Sequence, residues 1–160
     1  MAQKPITMIA GAFGHAEGKT PLNAFDNALL AAGIGNVNLL KISSIVPPNT
    51  RIVALPRIKP GSIIPTAYAS MVSEVPGEII AAAVAWALPE NREKAGVIME
   101  VHDKATRAEA EETVIKMLHE AFRVRSEAIR ELNVFAVEHQ VERTGCTVAA
   151  VALLAEDDIV

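Results

Sequence analysis

Two consecutive prolines, Pro47 and Pro48, close the run Asn36-Val37-Asn38-Leu39-Leu40-Lys41-Ile42-Ser43-Ser44-Ile45-Val46 and limit what that run can become. Val, Leu and Ile around Asn38 suit a pleated, largely buried strand. Neither proline has an N–H to give a ladder, and Pro47 holds Val46 extended, so the strand must end there. Ser43 and Ser44 therefore sit where a strand meets a fixed turn. A Ser-Ser pair by itself fits an ordinary polar strand end, with hydroxyls bonded to nearby backbone. It also fits self-cleavage at a strained turn. A serine hydroxyl attacks the preceding carbonyl, an ester replaces the amide, and β-elimination parts the chain. The dehydroalanine left behind hydrolyses to a pyruvoyl group.

The remaining sequence is rich in strands. Residues 6–10 predict a short strand entering a glycine-punctuated loop over 11–18. Thr20 as N-cap, Pro21 as first residue and Gly33 as stop predict a helix. Leu22, Phe25 and Leu29 share its apolar face by spacing, and Asp26 borders that face. Further strands are expected over 51–55, 66–73, 96–102, 134–142 and 146–155. Residues 79–88 suit a buried helix or a buried strand, and the short length between Pro76-Gly77 and Pro89 favours strand. Thr106-Arg107-Ala108-Glu109 is a capping box opening a long helix. Its apolar stripe reads Val114, Met117, Leu118, Ala121, Phe122, Ile129 and Leu132. The acidic end, Glu156-Asp157-Asp158, reads as a solvated tail. Strands mostly follow strands, which predicts an α+β fold with antiparallel pairing. A single domain over residues 1–160 is expected.

Composition removes several functions. With 51% apolar and 21% charged residues the chain is not a disordered one. The net charge of −4, without a Lys/Arg cluster, argues against nucleic acid as partner. The longest apolar run, residues 79–88, is about half of the ~20 residues a membrane span needs, so no membrane association is expected. Gly18-Lys19-Thr20 lacks the upstream glycine of a phosphate-binding Walker loop. The single cysteine, Cys146, gives no disulfide framework and no Cys-rich metal site, and it begins an apolar strand. With no secretory leader visible, a cytoplasmic protein is expected. So apolar a chain with so little charge also suggests surface buried between subunits.

Seven stretches in order carry a more specific message: Thr20-Pro21-Leu22-Asn23-Ala24-Phe25-Asp26, Ala32-Gly33-Ile34-Gly35-Asn36-Val37-Asn38-Leu39, Ile42-Ser43-Ser44-Ile45-Val46-Pro47-Pro48, Pro65-Thr66-Ala67-Tyr68, Val75-Pro76-Gly77-Glu78, Gly96-Val97-Ile98-Met99-Glu100 and Ala136-Val137-Glu138-His139. Together they resemble the pyruvoyl-dependent arginine decarboxylases. The resemblance implies two stacked sheets flanked by helices, assembled as a homotrimer with sites at subunit interfaces. It implies a chain cut between Ser43 and Ser44 into residues 1–43 and 44–160, with Ser44 becoming the pyruvoyl cofactor. The expected reaction converts L-arginine to agmatine and carbon dioxide, with neither pyridoxal phosphate nor a metal. A pyruvoyl carbonyl would serve as the electron sink that amino-acid decarboxylation needs.

Glu100, set among Val97, Ile98, Met99 and Val101, suits the proton donor, because desolvation disfavours its charged form. By resemblance Asn38 matches an active-site asparagine, Asp26 the carboxylate that receives the guanidinium, and Leu22, Gly35, Val37 and Ile45 the lining of the same pocket. A carboxylate can take two parallel N–H bonds from that planar fork. His139 looks catalytic in isolation, but its place on an alternating strand favours a structural or interface role. Two other readings stand beside this one: a pyruvoyl enzyme for a different amino acid, and an uncleaved trimer serving as a binding scaffold.

Overall fold

A strand whose residues are nearly all small or β-branched can be covered on both faces, and two strands here are of that kind. The computed structural model describes residues 4–160. In it β6 (Ile79–Pro89) is buried from its second residue onward, and β9 (Gly145–Leu154) throughout. Each lies inside its own sheet. The five-stranded sheet runs β2-β5-β9-β1-β4 and the four-stranded sheet β3-β7-β6-β8. Residues 79–88 are thus strand, as their length and flanks predict.

Three apolar clusters show how the layers stack. Ala24, Ala28 and Leu29 of α1 (Pro21–Ala31) meet the outer face of the five-stranded sheet through Ala12, Val148 and Ala150. Ile9, Ala82, Val84, Trp86, Ile98 and Val151 fill the space between the sheets. Val114, Leu118 and Phe122 of α2 (Arg107–Arg125) cover the far face of the four-stranded sheet. The class is α+β, and only two edge pairings, β2 with β5 and β1 with β4, are parallel.

Several boundaries differ from expectation, each for a physical reason. The expected loop over 11–18 is instead the body of β1 (Met8–Glu17), paired with β9 along its whole length. Its glycines mark close approach rather than a turn. A Cβ on Gly11 would lie 2.1 Å from the Phe135 ring, and one on Gly14 would lie 2.5 Å from the Ala28 carbonyl oxygen. In α1 the Thr20 hydroxyl accepts from the Asn23 N–H, as a cap should. The buried face, however, is Ala24, Ala28 and Leu29, and Leu22 is 75% exposed. The long helix ends at Ser126, in the left-handed conformation, so Ile129 and Leu132 belong to β8 (Ile129–Gln140) rather than to its stripe. The acidic end is not a free tail. Asp158 is 2% exposed, accepts from the Ala155 N–H and pairs with Lys4.

The capping box at Thr106 is present in full, with Thr106 and Glu109 each accepting from the other's backbone N–H. Thr106→Ala should lower unfolding free energy by ~1 kcal/mol, measured by denaturant titration. A loss within error would mean that packing against β6 and β7 alone holds the first turn.

The stretch before the prolines departs most from expectation. Instead of one buried strand there are two short pieces in different sheets. β2 (Asn38–Lys41) is a largely exposed edge strand, parallel to β5 (Ile63–Ser73). β3 (Ile45–Val46) pairs antiparallel with β7 (Gly96–Asp103) in the other sheet. Ser43 and Ser44 lie in the crossing between them. After the prolines β4 is only Arg51–Ile52, although the Val53 N–H still donates to the Ile9 carbonyl.

Candidate active site

Joining an edge strand of one sheet to an edge strand of the next within three residues forces an unusual backbone. Ser44 has φ of 75°, a left-handed conformation that a residue with a Cβ rarely takes. Such a conformation costs about 1–3 kcal/mol and persists only where its surroundings over-determine it. Here they do. The Ile98 N–H donates to the Ser44 carbonyl at 2.9 Å, and β3 pairs Ile45 with Val97 and Val46 with Gly96. The side chain is fixed too. The Ser44 hydroxyl donates to the Glu100 carboxylate, 3.0 Å from Oε2 and 3.2 Å from Oε1.

Glu100 reaches Ser44 because β7 alternates. It shares a face with Ile98, which belongs to the core between the sheets, while Val97 and Met99 turn towards α2. Burial pushes the Glu100 carboxyl above its ordinary range, opposed by the Ser44 hydrogen bond and the Lys41 charge. An acid whose folded pKa is raised contributes stability below its unfolded pKa and loses it as pH rises through the folded value. Wild-type stability should therefore fall, relative to Glu100→Gln, as pH climbs above the ordinary glutamate value of 4.5. Denaturant titrations of both proteins at pH 4 and pH 8 check this, and a constant difference would refute it.

Around this pair lies a pocket of about 330 Å³, walled by Ser43, Ser44, Ile45, Glu100, Met117 and Arg125 among others. Ser43, Ser44, Ile45 and Glu100 are thus brought together in one pocket. The other predicted residues lie elsewhere on the single chain. Asp26 is exposed on α1, one turn from the exposed Leu22. Gly35 packs under Leu30, and Val37 lies against the cluster beneath α1. Asn38 is exposed at the edge strand, its side-chain amide donating to the Gly61 carbonyl at 3.2 Å. These groups belong to the α1 side of the sandwich, whereas the Ser44 pocket is walled by β3, β7 and α2.

The structure also adds residues. Lys41 acts on Glu100 and places its ammonium 4.8 Å from the centre of the Tyr68 ring. Its nearness to Ser43 in sequence was the only available signal. Met117 and Arg125 arrive from α2, and nothing in the helix pattern marks them. His139 lies away from Ser44. It bonds His15 Nδ1 at 2.8 Å and the Glu17 carboxylate, which also accepts from the Arg143 and Thr144 N–H groups, tying β8 to β1. Cys146 is fully buried with its thiol pushed up to about 12 by burial, so it is no thiolate nucleophile. Among the described residues no cluster of three or more His, Cys, Asp or Glu side chains could hold a metal ion. None of the described helices is long and apolar enough to cross a membrane.

A buried serine at a strained sheet-to-sheet crossing, its hydroxyl on a carboxylate, defines a candidate for serine self-processing. In fold the chain is similar to a solved pyruvoyl-dependent histidine decarboxylase, with a TM-score of 0.52 at 12% identity, covering 62% of this chain and 54% of that one. The family model for pyruvoyl-dependent arginine decarboxylase matches residues 8–158. A curated relative of that name from Methanocaldococcus jannaschii is 49% identical over 148 residues, 92% of this chain and 88% of its own. Relatives of the same name from Methanothermobacter thermautotrophicus and Pyrococcus abyssi are 46% and 45% identical, covering 93% and 94% of this chain and 97% and 94% of their own. The chain belongs to the pyruvoyl-dependent arginine decarboxylase family.

Proposed function

We propose that this chain cuts itself between Ser43 and Ser44 and then decarboxylates L-arginine to agmatine. The observation that carries the first step is the Ser44 hydroxyl on Glu100 at a left-handed backbone. Ser44 Oγ attacks the Ser43 carbonyl carbon and its proton passes to Glu100. The amide C–N bond breaks as the ester forms, and the freed nitrogen takes up a proton. Loss of the Ser44 α-proton and of the Cβ–O bond then releases Ser43 as a carboxylate. Water adds to the dehydroalanine left at position 44, ammonia departs, and a pyruvoyl group begins the chain 44–160.

The residues present suit that group, since Ser44 supplies its atoms and the pocket beside it opens to Glu100. When in place, the group draws off the electron pair left by the departing carboxylate. The chain's own residues do the rest. Glu100, held towards its neutral form by burial, delivers a proton to the substrate α-carbon. Asp26 receives the guanidinium, Leu22, Gly35, Val37 and Ile45 shape the slot, and Asn38 orients the substrate carboxylate. Because Asp26 and Ser44 lie on different sides of one chain, the complete site forms between subunits of a trimer. Leu22, Ile63 and Leu40 are 75%, 67% and 55% exposed, apolar surface suited to such a contact.

Purified protein given arginine should release agmatine and an equal amount of carbon dioxide. Its mass spectrum should show two chains, the larger blocked at its amino end. A full-length chain with no agmatine formed would leave the scaffold reading, and faster turnover of another amino acid would change the substrate. Glu100→Gln should slow turnover by ~10² or more, assayed per processed chain. Normal turnover in the processed fraction would remove Glu100 from the chemistry.

A further inference from the structure

A second cavity lies beyond Ser44 along the chain, between the turn that follows β3 and the connection from β6 to β7. It measures about 260 Å³. A water occupies about 30 Å³ of liquid, and drug-sized ligands take pockets of about 300–1,000 Å³. The space therefore suits a small ion with some water. Its wall holds four cationic side chains, Arg51, Arg92, Lys94 and Arg130, and no carboxylate. In a chain of net charge −4 that gathering runs against the overall balance. Two of the four are partly balanced from outside the wall. Arg51 lies 3.0 Å from Glu156, and Arg130 lies 3.8 Å from Glu131. Arg92 and Lys94 make no ion pair among the described residues, and no hydrogen bond engages their side chains there.

We propose that this cavity binds a compact phosphate-bearing anion. Like charges facing a concave, partly enclosed space repel one another, and a multiply charged anion relieves several repulsions at once. A single carboxylate would leave most of that charge uncompensated. Guanidinium forks match phosphate oxygens two at a time, and Lys94 adds a point charge. The anion would also join two segments. One is the 47–51 turn, and the other is the β6–β7 connection, which ends at Gly96, the partner of Val46 in the β3–β7 pairing. It would thus brace the ladder that holds Ser44 without touching Ser44 or Glu100.

The test is calorimetric titration of the full chain, as purified, with pyrophosphate, orthophosphate, AMP and citrate at fixed ionic strength. Pyrophosphate should bind saturably at one site per chain. The double variant Arg92→Gln/Lys94→Gln should bind it about tenfold more weakly or worse, the effect of losing one charge-assisted bond. Both residues are exposed, so the variant should fold, and circular dichroism checks that it does. AMP binding as tightly as pyrophosphate would support a phosphomonoester as the ligand, and preference for the inorganic ions would support free phosphate. Equal binding of citrate, undiminished binding by the folded variant, or no saturable binding by the wild type would overturn the proposal.

Discussion

Ser44→Ala protein should remain one uncut chain and form no agmatine from arginine, however long it is incubated. The substitution removes the hydroxyl that attacks the Ser43 carbonyl, and nothing else in the pocket stands in its place. Ser43 is adjacent but cannot substitute, because in the proposed route it contributes its carbonyl and not its hydroxyl. Ser43→Ala should accordingly still be cut. Alanine at position 44 keeps a Cβ at φ of 75°, so the backbone strain persists while the bond to Glu100 is lost. Some stability goes with it, and circular dichroism separates that loss from failure to process. Two chains from a folded Ser44→Ala protein would refute the serine route outright.

Asp26→Asn should cripple arginine turnover and narrow the gap between arginine and citrulline, while chain cleavage proceeds. Arginine offers two charge-assisted N–H bonds to a carboxylate, whereas ornithine is shorter and citrulline is uncharged. Asp26 is exposed in the single chain, so in the proposed intersubunit site its full effect depends on cover from a neighbouring subunit. Once covered, losing one partner of the pair costs ~3–5 kcal/mol, roughly two to four decades in specificity. Competition assays on wild type and variant, with the processed fraction read from a gel, check this. Equal turnover of arginine and citrulline by the wild type would remove Asp26 as the guanidinium reader.

The local signals that proved reliable were those with a short-range cause. Thr20 and Thr106 cap their helices because a hydroxyl and an N–H three residues on need nothing else. Turn residues around Pro76-Gly77 likewise ended β5 and began β6. What failed depended on distant partners. Gly11 and Gly14 read as loop residues because Phe135 and Ala28, which need their missing side chains, are far along the chain. Leu22 read as core because its spacing is right, yet the sheet meets the neighbouring alanine face instead. For the site, Ser44 and Glu100 were legible, but not their bond, which depends on a crossing between sheets. Met117 and Arg125 reach the pocket through tertiary packing that leaves no trace in spacing.

The strand pairing fixes what would become of the two pieces if the chain is cut as proposed. β1 and β2 both precede Ser44, yet β1 runs between β9 and β4, and β2 lies along β5. The shorter piece is thus woven into a sheet whose other three strands belong to the longer one. It cannot dissociate without tearing out a middle strand paired over all ten of its residues with β9. On the proposed route folding must come before cutting, while the two halves are still tethered and find each other at no cost in concentration. A protein cut in this way and then fully unfolded would have lost that tether. Its recovery becomes an encounter between two molecules, slower at every dilution, and its durability in use is set by how rarely it opens rather than by how readily it re-forms.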